Sequence, residues 1–290
     1  MENISNVMQT QGKAHQMAAW LLLAGLLILR LPFLTGITLF SSPEWLDPVF
    51  EIGTYFLTAC LIWWERERLA HFHIDGLALG IIILFKPVQT LYLTIVWNFN
   101  SNPLAFPNWP GLFLWGISLG LVAALWLSRA PWPKLSRKSW IWFGAGILAG
   151  LLTVLLMAYP MSLQVNNGSD CVSSQMLTVL RRALPAFFYQ LGYAAVSEEP
   201  LFRGFLWGYL RLAGWKNRWI CLLQASLFML GHSFYIIRAP ISFWLIVPFG
   251  AIVFGGLVWR TKSLSSSLAA HGISNALGYA VGCIVAGLRV

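Results

Sequence analysis

Nine apolar segments follow one another along this chain, joined by short polar stretches. They run near 17–40, 49–64, 76–98, 110–128, 140–159, 177–211, 217–237, 241–260 and 264–287. Roughly 20 apolar residues in a helix cross the hydrocarbon of a bilayer. Backbone in that medium must satisfy its own N–H and C=O groups, which leaves helices as the conformation for runs of this length. The expected fold class is therefore all-α, a polytopic transmembrane helix bundle of about eight helices. One of the nine segments need not cross, and 49–64 is the shortest. Composition agrees: the 290 residues are 58% hydrophobic and 10% charged, against about 25% charged in a soluble domain. That balance excludes a disordered chain and a small disulfide-stapled secreted domain, and the 16 Trp suit repeated passage through membrane interfaces.

The net charge of +9 comes in short clusters between apolar runs. This reads as topology and argues against nucleic acid as a partner. Arg129, Lys134, Arg137 and Lys138 form one cluster, Arg211, Lys216 and Arg218 a second, and Arg260 with Lys262 a third. If these face the cytoplasm, the segments alternate from a cytoplasmic N-terminus to an outer C-terminus, and the loop from Met161 to Gln175 is outside. The segment 177–211 holds Arg181, Arg182, Pro185 and Pro200, which predicts an interfacial start and a kinked span. Cys60, Cys221 and Cys283 fall in apolar stretches and Cys171 in a polar loop, a pattern with no disulfide framework and no CxxC pair.

Ionisable groups inside apolar spans are costly and point to function. Glu198 and Glu199 are adjacent within one span, and His232 and His271 lie in later ones. Glu199 and Arg203 are i,i+4 on a helix and can form a buried pair that orients it. Glu198 is turned about 100° from Glu199, so it can point into a cavity. His271 and Asn275 are also i,i+4 and share a face. His232 by itself suits a hydrogen-bonded core residue as well as a site residue. Lys86-Pro87 and Arg30-Leu31-Pro32 interrupt other spans, where a kink or a snorkelling side chain is expected.

Glu198-Glu199-x-x-x-Arg203, then Phe228-x-x-x-His232, then His271-x-x-x-Asn275 resemble the three motifs of the CAAX prenyl endopeptidase and bacteriocin-processing family (CPBP, or Abi) of intramembrane proteases. The resemblance covers about residues 177–287 and implies an endopeptidase with an eight-helix bundle. On that basis residues 176–290 form the catalytic helical core, and 1–175 contribute the N-terminal helices and substrate specificity.

The residues themselves suit that chemistry. Amide hydrolysis needs an activated water, a stabiliser for the oxyanion and a proton donor to the leaving amine. Glu198 fits the general base, with His232 holding the same water. His271 and the Asn275 amide are donors suited to the oxyanion, and Glu199 and Arg203 support them. This route needs no cofactor. Glu198, His232 and His271 could equally supply a two-His, one-carboxylate set for a divalent metal such as zinc, and with Asn275 reserved for the oxyanion the metal-free route is preferred. Ser197, Ser233 and Ser274 lie beside the motif residues but turned about 100° from them, which disfavours a serine mechanism.

The expected partners are a membrane-associated protein or peptide substrate and the lipid bilayer. The expected setting is an integral protein of a bacterial inner (plasma) membrane. Helical rise counted from Arg211 and Arg218 sets Glu198 and His232 on the order of 20 Å from the cytoplasmic ends, in the outer half of the bilayer. The competing readings are a proton-coupled membrane transporter, to which buried Glu, His and Arg are equally natural, and a non-catalytic membrane factor on the same fold.

Overall fold

Each apolar segment of the chain becomes a helix in the computed structural model, which describes residues 13–32, 46–93, 109–164 and 176–288. The helices are α1 (Lys13–Pro32), α2 (Leu46–Trp64), α3 (Gly76–Leu93), α4 (Trp109–Leu127) and α5 (Arg137–Ser162). Next comes α6, a continuous helical path from Met176 to Leu212 that contains two π-turns, Leu191–Ala195 and Pro200–Leu206. It is followed by α7 (Asn217–Leu230), a short α8 (Tyr235–Arg238), α9 (Val247–Thr261, entered through a π-turn at Ser242–Ile246) and α10 (Leu264–Gly287). No strand occurs among the described residues. Trp109–Leu127, Arg137–Ser162, Ser242–Thr261 and Leu264–Gly287 are each long and apolar enough to cross a membrane, while Gln16–Leu29, Pro48–Trp64 and Gly76–Thr90 are shorter apolar helices. The loop containing Asp170 and Cys171, expected outside, lies beyond the described residues, as does the side chain of Arg30.

Apolar helices gain little from burial against one another inside lipid, so small residues and polar contacts hold them together. Gly146 and Gly150 of α5 let that helix lie directly against α10. A Cβ on Gly146 would come 2.1 Å from the Ser266 carbonyl oxygen, and one on Gly150 would come 2.3 Å from Ile273 Cγ2. Pro87 supplies a polar contact of another kind. It has no N–H for the carbonyl of Ile83, one turn back in α3; that oxygen accepts instead from Ser118 Oγ of α4 at 2.5 Å and Tyr55 OH of α2 at 3.5 Å. The proline thus binds three helices together.

One end of the bundle is closed by the 65–75 loop. Asp75 caps α3 by accepting from the N–H of Leu77 and Ala78 (3.0 and 3.1 Å). The same carboxylate accepts from Ser263 Oγ and Ser265 Oγ at the start of α10, each at 2.6 Å. The first N–H of α10, on Leu264, donates to the His73 carbonyl at 2.7 Å. Gly76 sits so close to Pro133 that a Cβ would approach its carbonyl oxygen to 2.5 Å. The loops that carry Arg129 to Lys138 and Arg260 with Lys262 therefore meet the 65–75 loop at one end of the bundle.

Two expectations need correction. Lys86 does not snorkel: it is fully buried and ion-paired with Glu51 of α2, a partner 35 residues away that spacing along one helix cannot reveal. Cys60 and Cys221 carry free thiols, but Cys283 is disulfide-bonded, to a partner outside the described residues.

Candidate active site

The Glu198-Glu199 pair lies in the short α-helical stretch Val196–Glu199 between the two π-turns of α6. Pro200 immediately follows; having no N–H, it cannot continue regular α-bonding, and the helix widens into the second π-turn instead of breaking. All residues from Ala195 to Leu210 are buried, so both carboxylates are held inside the bundle.

The i,i+4 pair expected from spacing forms: Arg203 Nη1 donates to Glu199 Oε1 at 3.1 Å, and both side chains are 0% exposed. Arg203 also donates to the Ala251 carbonyl of α9 at 3.4 Å. Its guanidinium carbon stands 4.4 Å from the centre of the Phe228 ring and 5.7 Å from that of Phe254. A cation in this medium is favourable where an anion and aromatic faces surround it. Gln224, also fully buried, donates to the same Ala251 carbonyl at 3.1 Å.

Glu199 also does something that the spacing does not predict. Its Oε1 accepts from Nδ1 of His271, on α10, at 2.8 Å. A donated Nδ1–H sets the tautomer and aims Nε2 the other way, and that nitrogen lies 3.7 Å from Glu198 Oε2. Arg203, Glu199, His271 and Glu198 thus form one buried chain of charge and hydrogen bonds across α6 and α10. The 3.7 Å step is too long for a direct hydrogen bond. The His271 ring is wedged between Phe254, stacked at 5.4 Å, and Phe228, edge-on at 5.9 Å.

His232 is displaced from its expected setting. Helix α7 ends at Leu230 with Gly231 as its cap, so His232 lies in the turn after the helix. Its Nδ1–H bonds the Phe228 carbonyl at 2.8 Å, and its ring lies 4.6 Å from the Phe228 ring and 6.0 Å from Tyr235, stacked. Phe228 thus touches both imidazoles. Asn275, one turn beyond His271, is exposed and its amide donates to Gln190 of α6 at 3.5 Å. Ser197 Oγ donates to the Tyr193 carbonyl at 2.8 Å and Ser274 Oγ to the Gly150 carbonyl at 3.3 Å; both hydroxyls serve the backbone. Among the described residues no three His, Cys, Asp or Glu side chains group as a metal site, so Glu198, His232 and His271 do not assemble the two-His, one-carboxylate set that their residue types allow.

Depth counted along α10 differs from depth counted along α6 and α7. His271 is seven residues beyond Leu264, about 10 Å at helical rise. The reason is that α10 starts recessed beneath the 65–75 loop, with Leu264 to Ser267 fully buried.

Residues 180–277 match the family described as type II CAAX prenyl endopeptidase, Rce1-like. This is a family of proteases, and its match spans α6 to α10 and every residue of the constellation. With the apolar helices of the bundle, it identifies an integral membrane protein. No curated protein and no solved structure matches the chain.

Proposed function

We propose that this chain, whose residues 180–277 match the Rce1-like family of type II CAAX prenyl endopeptidases, hydrolyses a peptide bond of a membrane-associated protein, with Glu198 as general base. The observation that carries this reading is the placement of Glu198 Oε2 at 3.7 Å from an imidazole nitrogen whose ring is fixed by Glu199.

A water between Glu198 and His271 gives its proton to Glu198, and the hydroxide attacks the scissile carbonyl carbon. Negative charge collects on the carbonyl oxygen. The Asn275 amide has two N–H donors, of which one reaches Gln190, leaving the second for that oxyanion. His271 contributes once it shares the proton taken from water. His232, whose Nδ1–H bonds the Phe228 carbonyl, supports the site through Phe228, the ring that also packs on His271. Glu198 then protonates the leaving amine as the C–N bond breaks. Arg203 pairs with Glu199 and Glu199 keeps His271 aimed, in the way a third group orients a catalytic base. The helices before residue 176 supply substrate specificity in this reading.

The orientation proposed is cytoplasmic for the N-terminus and for the basic loops, in a bacterial plasma membrane. Cys283 lies near the end of α10 opposite Arg260 and Lys262, and disulfides persist on the oxidising, non-cytoplasmic side. Candidate membrane substrates co-expressed with the wild type and with Glu198→Ala, and analysed by mass spectrometry, test the activity. A cleavage product present with the wild type and absent with Glu198→Ala is expected; identical fragments in both refute the reading.

A further inference from the structure

A second polar cluster, outside the proposed chemistry, sits where α3 meets α6. Lys86 is fully buried and paired with Glu51 of α2. Its ammonium stands 5.6 Å from the centre of the Tyr193 ring. Tyr193 belongs to the π-turn Leu191–Ala195, and the next four residues are Val196–Glu199, which carry Glu198. Gly192 in the same turn lies hard against α3: a Cβ there would come 2.3 Å from the Phe85 carbonyl oxygen and 2.5 Å from Gln89 Cβ. Ser197 Oγ donates to the Tyr193 carbonyl at 2.8 Å, satisfying an acceptor within the wide turn.

The widening matters for the direction of Glu198. A π-turn bonds i to i+5 where an α-turn bonds i to i+4, so it admits one more residue, and every side chain that follows is rotated by about 100° relative to an unbroken α-helix. If Leu191–Ala195 relaxed to regular α geometry, Glu198 would turn away from His271. Isolated π-turns are rare and need tertiary support, and here three contacts from α3, at Phe85, Lys86 and Gln89, supply it.

We propose that Lys86 is a positioning residue for Glu198: anchored by Glu51, it clamps Tyr193 and holds open the π-turn that aims the carboxylate at His271. This rests on the reading of Glu198 as general base. The pair also links α2 and α3, in the part of the chain before the matched family segment, to the proposed site.

The test uses the full-length protein in lipid nanodiscs, as wild type, Lys86→Met, Lys86→Arg and Glu51→Gln. Deuterium uptake is read for 190–199 and for 264–287, and kcat and KM are read on a peptide that the wild type cleaves and Glu198→Gln does not. Lys86→Met should raise uptake in 190–199 alone and lower kcat about 10-fold or more with KM nearly unchanged. Lys86→Arg should restore both. Unchanged uptake in 190–199, or a raised KM at wild-type kcat, overturns the proposal. If Lys86→Met does not fold, Glu51→Gln is read in the same way, with the same expected direction. If the wild type cleaves no peptide, the base assignment of Glu198 falls, and the uptake pattern alone decides whether Lys86 holds the turn.

Discussion

Replacing Arg203 with alanine strands a buried carboxylate, and the structure bounds the cost. Glu199 has 0% exposure and loses its ion partner at 3.1 Å. Breaking a buried pair by removing one member costs about 3–5 kcal/mol. The His271 Nδ1–H bond to the same oxygen survives, which favours the lower end of that range. The aromatic contacts of the guanidinium belong to the same side chain and overlap with this figure. Against a typical total stability of about 5–15 kcal/mol, Arg203→Ala should lose a large share, seen as a sharply lower midpoint of thermal unfolding in detergent followed by tryptophan fluorescence. The double variant Glu199→Gln/Arg203→Met removes both charges at nearly constant volume and should recover most of the loss. It should not recover activity, because a neutral amide no longer holds His271 as Glu199 does. Arg203→Ala within about 1 kcal/mol of the wild type would refute the claim that this pair supports α6.

Three further outcomes follow from particular contacts. Burial, followed by the positive charges of Lys262 and Arg211, lowers His73 from 6.5 to about 4; the unfolded chain therefore takes up that proton first, and stability is lost as pH falls from about 6.5 to 4, by up to about 3 kcal/mol. His73→Asn, which tolerates the backbone φ of 60° there, should flatten that acid limb in pH-dependent unfolding. Gly146→Val places a Cβ 2.1 Å from the Ser266 carbonyl oxygen and should part α5 from α10, lowering the unfolding midpoint by an amount equivalent to about 1–3 kcal/mol, whereas Gly144→Ala, with nothing within 4 Å, should not. Cysteine at Ser233 or Ser274 should react faster with an impermeant thiol reagent added from outside than from inside; the reverse would put the site in the cytoplasmic half.

What the sequence made legible was whatever lies within one helix. The apolar runs mark where the helices lie, the ends of 17–40 and 76–98 falling outside the described residues, and the i,i+4 spacing of Glu199 and Arg203 finds their ion pair, because helical geometry alone brings them together. Contacts between helices were less readable. That Glu199 also holds His271 depends on how α6 packs on α10, and that Lys86 is paired depends on α2 reaching it with Glu51. The end of α7 at Leu230 was hidden because the apolar pattern runs on through Ile236 and Ile237, so His232 reads as a span residue although Gly231 caps the helix before it. The π-turns around Glu198 have no period of their own in the pattern; they are imposed by Pro200 and by the close seat of Gly192 on α3. Phe228 is visible in its motif, yet its contact with both imidazoles and Arg203 appears only in three dimensions.

If Glu198 activates water to cut a peptide bond, an oxygen atom of that water must end in the new C-terminus, and isotope-labelled water follows it there. Purified wild type and Glu198→Gln, in the same nanodiscs, are each incubated with solubilised membrane proteins in oxygen-labelled water, and new peptide C-termini are sought by mass spectrometry. The wild type should yield labelled C-termini, each carrying one oxygen from water, and Glu198→Gln should yield about 100-fold fewer at equal folding. Labelled C-termini at equal rates from both proteins would contradict the role of Glu198 as the base.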